Sequence, residues 1–356
     1  MYKDATNMHK MALQDKHHDV VDGTIGVLLD DNKNLIYSKV FDEEMNKLQS
    51  NKYNYAPVSG GNAYCEAIRN YFNIPTEYTI VATPGATGAI SMFMMKAKKE
   101  KNILLIPINC WANYESIAAQ QGYEIRFYDE DHDFGSFDNY DNVIVVINTP
   151  ASNPIGKTYT KKELDKYIDY LEKFDNVKVL FDLAYYDFSD NQDFIFQYGK
   201  NNKTYFAVSL SKSLGVYGLR LGALVAPINN GYELAARTVW SSCNHQGILA
   251  FVNCIPRKDE IILENKSKKD LVDDRAQYFI NLLKERNIEF YDFQEGFFVT
   301  IKTKDSDKII QYLIDNHYYT IKTTDGIRVA VCSLTKDEMF KIANKIYEYQ
   351  IACNVE

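Results

Sequence analysis

Six short apolar runs set the strongest limit on how this chain can fold. They span 103–108, 124–128, 142–147, 177–181, 204–210 and 221–226. Several are apolar at nearly every position. Successive side chains of a strand point to opposite faces, so such runs belong to strands covered on both sides. Longer patterns of helical period separate many of them, at 87–98, 114–121 and 161–173. The last opens Thr160-Lys161-Lys162-Glu163, a capping box. This alternation predicts a mostly parallel α/β sheet flanked by helices. Ligands of such sheets sit beyond the carboxyl ends of the strands.

The texture changes near residue 267. A helical pattern at 269–286 leads into apolar runs at 288–291 and 297–302, a helix near 305–316, a run at 326–333 and a helix at 336–349. Together these predict an α+β lobe, on which the first 45 residues pack. The expected division is a large α/β domain over 46–266 and a small α+β domain from 1–45 and 267–356. The chain has 356 residues, 46% of them hydrophobic, enough for two cores.

The formal net charge is −8 with Lys and Arg spread along the chain, which argues against a nucleic-acid surface. No apolar run reaches the ~20 residues of a membrane span. The six cysteines form no CxxC and read as reduced thiols of a cytoplasmic protein. The polar N-terminus lacks the apolar core of a signal peptide. His17-His18 has no third ligand nearby, so a solvated pair is expected rather than a metal site.

The chemistry gathers at the strand ends. Ser209-Leu210-Ser211-Lys212-Ser213-Leu214-Gly215 follows a buried run. A lysine there is costly to bury without a partner or a covalent role. Hydroxyls beside it and Arg220 eight residues on suit a pyridoxal-phosphate site: an amine for a Schiff base, with donors for the phosphate. The alternative is a surface lysine in a Ser/Gly turn. Asp182 ends the run 177–181; it either caps a turn or pairs with a protonated ring nitrogen. Asn153, in Asn153-Pro154-Ile155-Gly156, is either turn chemistry or an amide donor to a phenolic oxygen, with Tyr185 as a second donor. Gly85, Ala86 and Thr87 open a helix whose free N–H groups suit a phosphate or a plain cap. Trp111 is one of two tryptophans and either fills core or stacks on a flat ring. Arg328 lies inside an apolar strand pattern and needs an anion, either a structural carboxylate or a substrate's.

The order and placement of these segments resemble the fold-type I pyridoxal-phosphate aminotransferases, most closely the aspartate/aromatic amino acid aminotransferase branch. Further segments carry the likeness: Val21-Asp22-Gly23-Thr24-Ile25-Gly26-Val27, Tyr55-Ala56-Pro57-Val58-Ser59-Gly60 and Arg237-Thr238-Val239-Trp240-Ser241-Ser242. The resemblance implies the aspartate aminotransferase-like fold, with pyridoxal 5'-phosphate as a Schiff base on Lys212, which also moves the proton. It implies Asp182 on the pyridine nitrogen and Asn153 and Tyr185 on the phenolic oxygen. Trp111 and Ala184 would cover the two ring faces. Gly85, Ala86, Thr87, Ser209 and Arg220 would hold the phosphate, joined by Tyr55 from the other subunit of a homodimer. Arg328 and Asn153 would face the substrate α-carboxylate with Trp111, and the neighbour's Arg237 a side-chain carboxylate.

The implied reaction moves an amino group between an L-amino acid (aspartate, glutamate or aromatic) and a 2-oxo acid. β-Elimination of the C-S lyase type would use the same Lys212 and Asp182. Three departures from the branch stand out. Gly85-Ala86-Thr87 replaces Ser-Gly-Thr, Ser241-Ser242-Cys243-Asn244 lacks the usual Asn-Pro-Pro, and Tyr114 stands where a histidine is common.

Overall fold

The computed structural model describes residues 2–129, 134–190, 192–227 and 231–354. Its centre is a seven-stranded sheet. In spatial order the strands are Thr79–Pro84, Leu221–Ala226, Thr204–Ser209, Val177–Leu183, Asn142–Asn148, Asn102–Pro107 and Glu124–Tyr128. Only Leu221–Ala226 runs antiparallel to its two neighbours; every other pairing is parallel. All six expected runs are strands. The sheet also contains Thr79–Pro84, which the sequence reading assigned to no strand.

Burial explains the unbroken apolar runs. Ile103, Leu105, Val143, Val145, Val179 and Phe206 point into one core. Their neighbours Leu104, Ile106, Ile144, Val146, Leu180 and Tyr205 point into another on the opposite face. The helix Gly85–Ala97 packs on the second face through Ala89, Ile90 and Phe93. Lys161–Leu171 covers the first face through Leu164, Ile168 and Leu171. That helix starts with the expected capping box, in which the Thr160 hydroxyl and the Glu163 carboxylate each take an N–H from the other residue.

A separate three-stranded antiparallel sheet has the order Ile321–Lys322, Gly326–Ala330, Phe298–Lys302. It packs with Ser306–Asp315, Lys336–Asn354 and the C-terminal half of the long helix Lys258–Glu285 around a further core. Met8, Ala12 and Val21 join this core, whereas Val40 and Phe41 belong to the first core of the large sheet. The expected run at 288–291 yields only an isolated bridge from Phe290 to Ile301. A fourth cluster contains Leu28, Ala151, Tyr185, Phe188, Phe297, Phe298 and Cys332, and joins the two sheets.

Cys65, Cys110, Cys243, Cys254 and Cys332 are free thiols, and the side chain of Cys353 lies outside the described residues. His17 stacks on His317 at 3.9 Å. Among the described residues no helix is long and apolar enough to cross a membrane.

Candidate active site

The topology carries the strand-end residues to one edge of the large sheet. The register pairs Asn148 with Asp182, Ser209 with Gly222, and Pro84 with Leu221. The segments that leave this edge line a cavity of about 310 Å³ between the two sheets. Lys212, Asp182, Tyr185 and Ala184 reach it, as do Ala86, Thr87, Ser209 and Arg220 on one side and Trp111, Asn153 and Arg328 on the other.

Lys212 sits at the cavity floor. Its ammonium donates to the Gly26 carbonyl oxygen and lies 4.7 Å from the Tyr217 ring centre, 5.4 Å from that of Phe297 and 5.5 Å from that of Tyr185. Burial pushes its pKa from 10.5 down to about 8, with Arg328 and Arg220 adding to the effect. A Cβ on Gly26 would lie 2.6 Å from the Phe298 ring and 3.4 Å from the Lys212 amine, so only glycine leaves this space open.

Asp182 is a buried carboxylate. Tyr114 donates to it at 2.5 Å and the Ala184 N–H at 3.1 Å. Burial outweighs both bonds and pushes its pKa from 3.8 up to about 6. Among the described residues no cation pairs with it. The side chain of Asn148 donates to the Asp182 carbonyl and accepts from the Asn153 N–H, tying two strand-end loops together.

Arg328 is buried on the strand Gly326–Ala330. Its guanidinium lies 4.2 Å from the Phe298 ring centre and donates to Asn153 Oδ1 at 3.1 Å and to the Thr24 carbonyl. Its Nε has no partner. Burial pushes its pKa down to about 10. No carboxylate among the described residues meets it, which removes the structural ion pair as an explanation for a buried arginine.

An anion cradle occupies the opposite side. The helix Gly85–Ala97 points its free N–H groups at the cavity. Arg220 donates to Ser211 Oγ at 3.3 Å and to the Tyr217 and Pro84 carbonyls. Gly85 has φ +72°, and a Cβ there would lie 2.8 Å from an Arg220 guanidinium nitrogen. Thus Gly85 shapes the cradle without lining the cavity.

Two expected residues lie elsewhere on their own chain. Tyr55 is 89% exposed, and Arg237 is exposed on the helix Tyr232–Val239. Neither lines the cavity. Sequence reasoning missed Gly26, Asn148, Tyr217 and Thr6 as cavity residues, and Tyr114 as the Asp182 donor. Tyr217 had a signal, an aromatic within five residues of Lys212; Thr6 had none.

The donor set fits pyridoxal phosphate. An uncompensated buried carboxylate awaits a protonated ring nitrogen. A helix N-terminus with two serines and an arginine awaits a phosphate, and a deprotonatable lysine reaches the same cavity. The aminotransferase class I and II sequence family matches residues 18–346. A histidinol-phosphate aminotransferase of Clostridium kluyveri is 23% identical, covering 83% of this chain and 84% of its own length. An aminotransferase of Anaerococcus prevotii superposes with a TM-score of 0.87 at 24% identity, over 97% of this chain and 95% of that one. An aromatic-amino-acid aminotransferase of Burkholderia pseudomallei, solved covalently bound to pyridoxal phosphate, gives 0.82 at 18% identity over 96% of each chain. With that match across nearly its whole length, the chain belongs to the class I and II aminotransferases and is a pyridoxal-phosphate-dependent enzyme.

Proposed function

We propose that the enzyme moves the amino group of a dicarboxylic or aromatic L-amino acid to a 2-oxo acid. The observation that carries this reading is Arg328: a buried guanidinium at the cavity with no protein carboxylate. A substrate α-carboxylate would satisfy it bidentately. When bound, pyridoxal phosphate supplies an electron sink for the charge left on the substrate Cα.

The protein's part is positional and acid–base. Lys212 would hold the cofactor and, once freed, would take the proton from the substrate Cα and return it to the cofactor's former aldehyde carbon; an amine pKa near 8 suits both directions. Asp182 keeps the ring nitrogen protonated. Asn153 gives its carbonyl oxygen to Arg328, which leaves its NH2 group to donate to the phenolic oxygen beside Tyr185. Trp111 and Ala184, which line the cavity, would flank the ring. Ala86, Thr87, Ser209 and Arg220 hold the phosphate.

Tyr55 and Arg237 act across a homodimer on this reading, Tyr55 on the partner's phosphate and Arg237 on its substrate's side-chain carboxylate. Their exposure, alongside exposed Tyr53, Leu234 and Val239, supports a shared interface. We also read the chain as two lobes, divided near residues 45 and 266. The second division falls inside the continuous helix Lys258–Glu285, so that helix would transmit lobe movement.

A second reading rests on an outer chamber of about 510 Å³ that adjoins the site at Trp111, Asn153 and Arg328. Lys3, Glu115, Ser116 and Lys322 line it. Such a chamber favours a longer polar side chain, as in the substrate named for the Clostridium kluyveri relative. Single-turnover kinetics with glutamate, aspartate, phenylalanine and histidinol phosphate separate the two. Arg237→Ala should lower kcat/KM for the dicarboxylates by about tenfold or more and leave phenylalanine nearly unchanged. Equal loss for all donors would contradict the role of Arg237, and fastest turnover of histidinol phosphate would favour the second reading.

A further inference from the structure

Around Ser213, the residue that follows Lys212, lies a polar cluster the reaction above does not use. Lys268, Asn265, Ser213 and Tyr71 are all at least nine-tenths buried there. Lys268 donates to the Ser213 carbonyl at 2.6 Å and to Asn265 Oδ1 at 3.0 Å. The Ser213 hydroxyl donates to the Asp187 carboxylate. Asn265 donates to the Tyr71 hydroxyl at 2.9 Å.

Burying an ammonium and a carboxylate among apolar side chains costs several kcal/mol unless both are well bonded. Burial pushes the Lys268 pKa down to about 8, against Glu264 and Asp187, which hold it up. It pushes the Asp187 carboxyl up, against Ser213, Tyr71, Lys268 and Lys258. Here both charges converge on one residue, Ser213, the neighbour of Lys212. One takes its carbonyl and the other its hydroxyl. The next residue is held too, since the Ser38 N–H donates to the Leu214 carbonyl.

We infer that Lys268 and Asp187 are positioning residues that clamp Ser213 from both sides and thereby fix the direction in which the backbone presents Lys212. This rests on the reading of Lys212 as the cofactor-bearing lysine. Misplacing a reacting amine by about 1 Å can cost up to 10²-fold in rate, so a backbone clamp one residue away has leverage.

The test uses the full-length protein. Borohydride reduction and peptide mapping first establish whether the cofactor sits on Lys212; its absence there sinks the functional reading, whatever the clamp does. Lys268→Met and Ser213→Ala are then compared with wild type in the rate of cofactor capture by cofactor-free protein across pH 6–10, and in kcat and KM. The clamp predicts capture slowed about tenfold in Lys268→Met and less in Ser213→Ala. It predicts a shifted pH midpoint and a fall in kcat with little change in KM. The double variant should lose less than the sum, because both substitutions release one target. Unchanged capture, midpoint and kcat in either folded variant, with only a lowered Tm, would overturn the inference. Should Lys268→Met fail to fold, Ser213→Ala, which deletes only one hydroxyl, decides it alone.

Discussion

At the scale of single residues, the site is defined by three groups held away from their preferred charge environment, Asp182, Lys212 and Arg328. Asp182 has its pKa raised to about 6 by burial. Its folded form therefore keeps a proton that the unfolded chain has already lost between pH 4 and 6. The stability this lends is present at low pH and is lost as pH rises through 6, a loss of about 3 kcal/mol for a shift of that size. Cofactor-free Asp182→Asn should lack this loss. Denaturant midpoints at pH 4.5 and 7.5 should differ less in the variant than in wild type; an equal difference would contradict the burial argument. Lys212 shifts the other way, down to about 8. Half of its amine is then uncharged at pH 8 rather than at 10.5. Cofactor capture should rise with pH about a midpoint near 8, and a midpoint near 10 would show an amine open to water. Tyr114, which stands where the branch this chain resembles commonly has a histidine, donates to Asp182 without adding a cation, so the pair keeps its negative charge for the ring nitrogen.

At the scale of elements, apolar runs and caps were legible and buried polar faces were not. Four unbroken or nearly unbroken runs, at 103–108, 142–147, 177–181 and 204–210, announced parallel strands because both faces are core. Thr79–Pro84 escaped notice because it flows directly into the helix Gly85–Ala97 with no turn residues between them. The long helix begins at Lys258, eleven residues before the expected start. Asn265 and Lys268 are buried there, and polar residues on an inward face break the apolar period that reveals a helix. The site was legible for the same reason as the strands, since its residues stand where the runs stop. Cavity residues brought in from far along the chain, such as Thr6 and Gly26, carry no local pattern. The helix at the cradle gives a sharp prediction. Gly85→Ala must adopt φ +72° and press its Cβ against Arg220. It should cost about 1–2 kcal/mol of stability and weaken cofactor binding. Melting and titration of the variant check both, and unchanged binding would remove Gly85 from the cradle.

At the scale of the whole molecule, the cavity lies where two independently cored sheets meet, with Arg328 on one and Lys212 and Asp182 on the other. If the proposed homodimer completes the site, Tyr55→Phe should weaken cofactor binding while leaving the cavity's own residues untouched, and sedimentation should report two chains per particle. The central claim is that Lys212, Asp182 and Arg328 together transfer an amino group. It is tested most directly by adding glutamate to the purified, cofactor-loaded enzyme and following its absorption spectrum while assaying 2-oxoglutarate. The expected result is loss of the lysine-bound cofactor band with one 2-oxoglutarate released per site, restored by a 2-oxo acid and absent in Lys212→Ala. A spectrum unmoved by glutamate, aspartate and phenylalanine alike, or pyruvate released from a β-substituted amino acid without that spectral change, would contradict it.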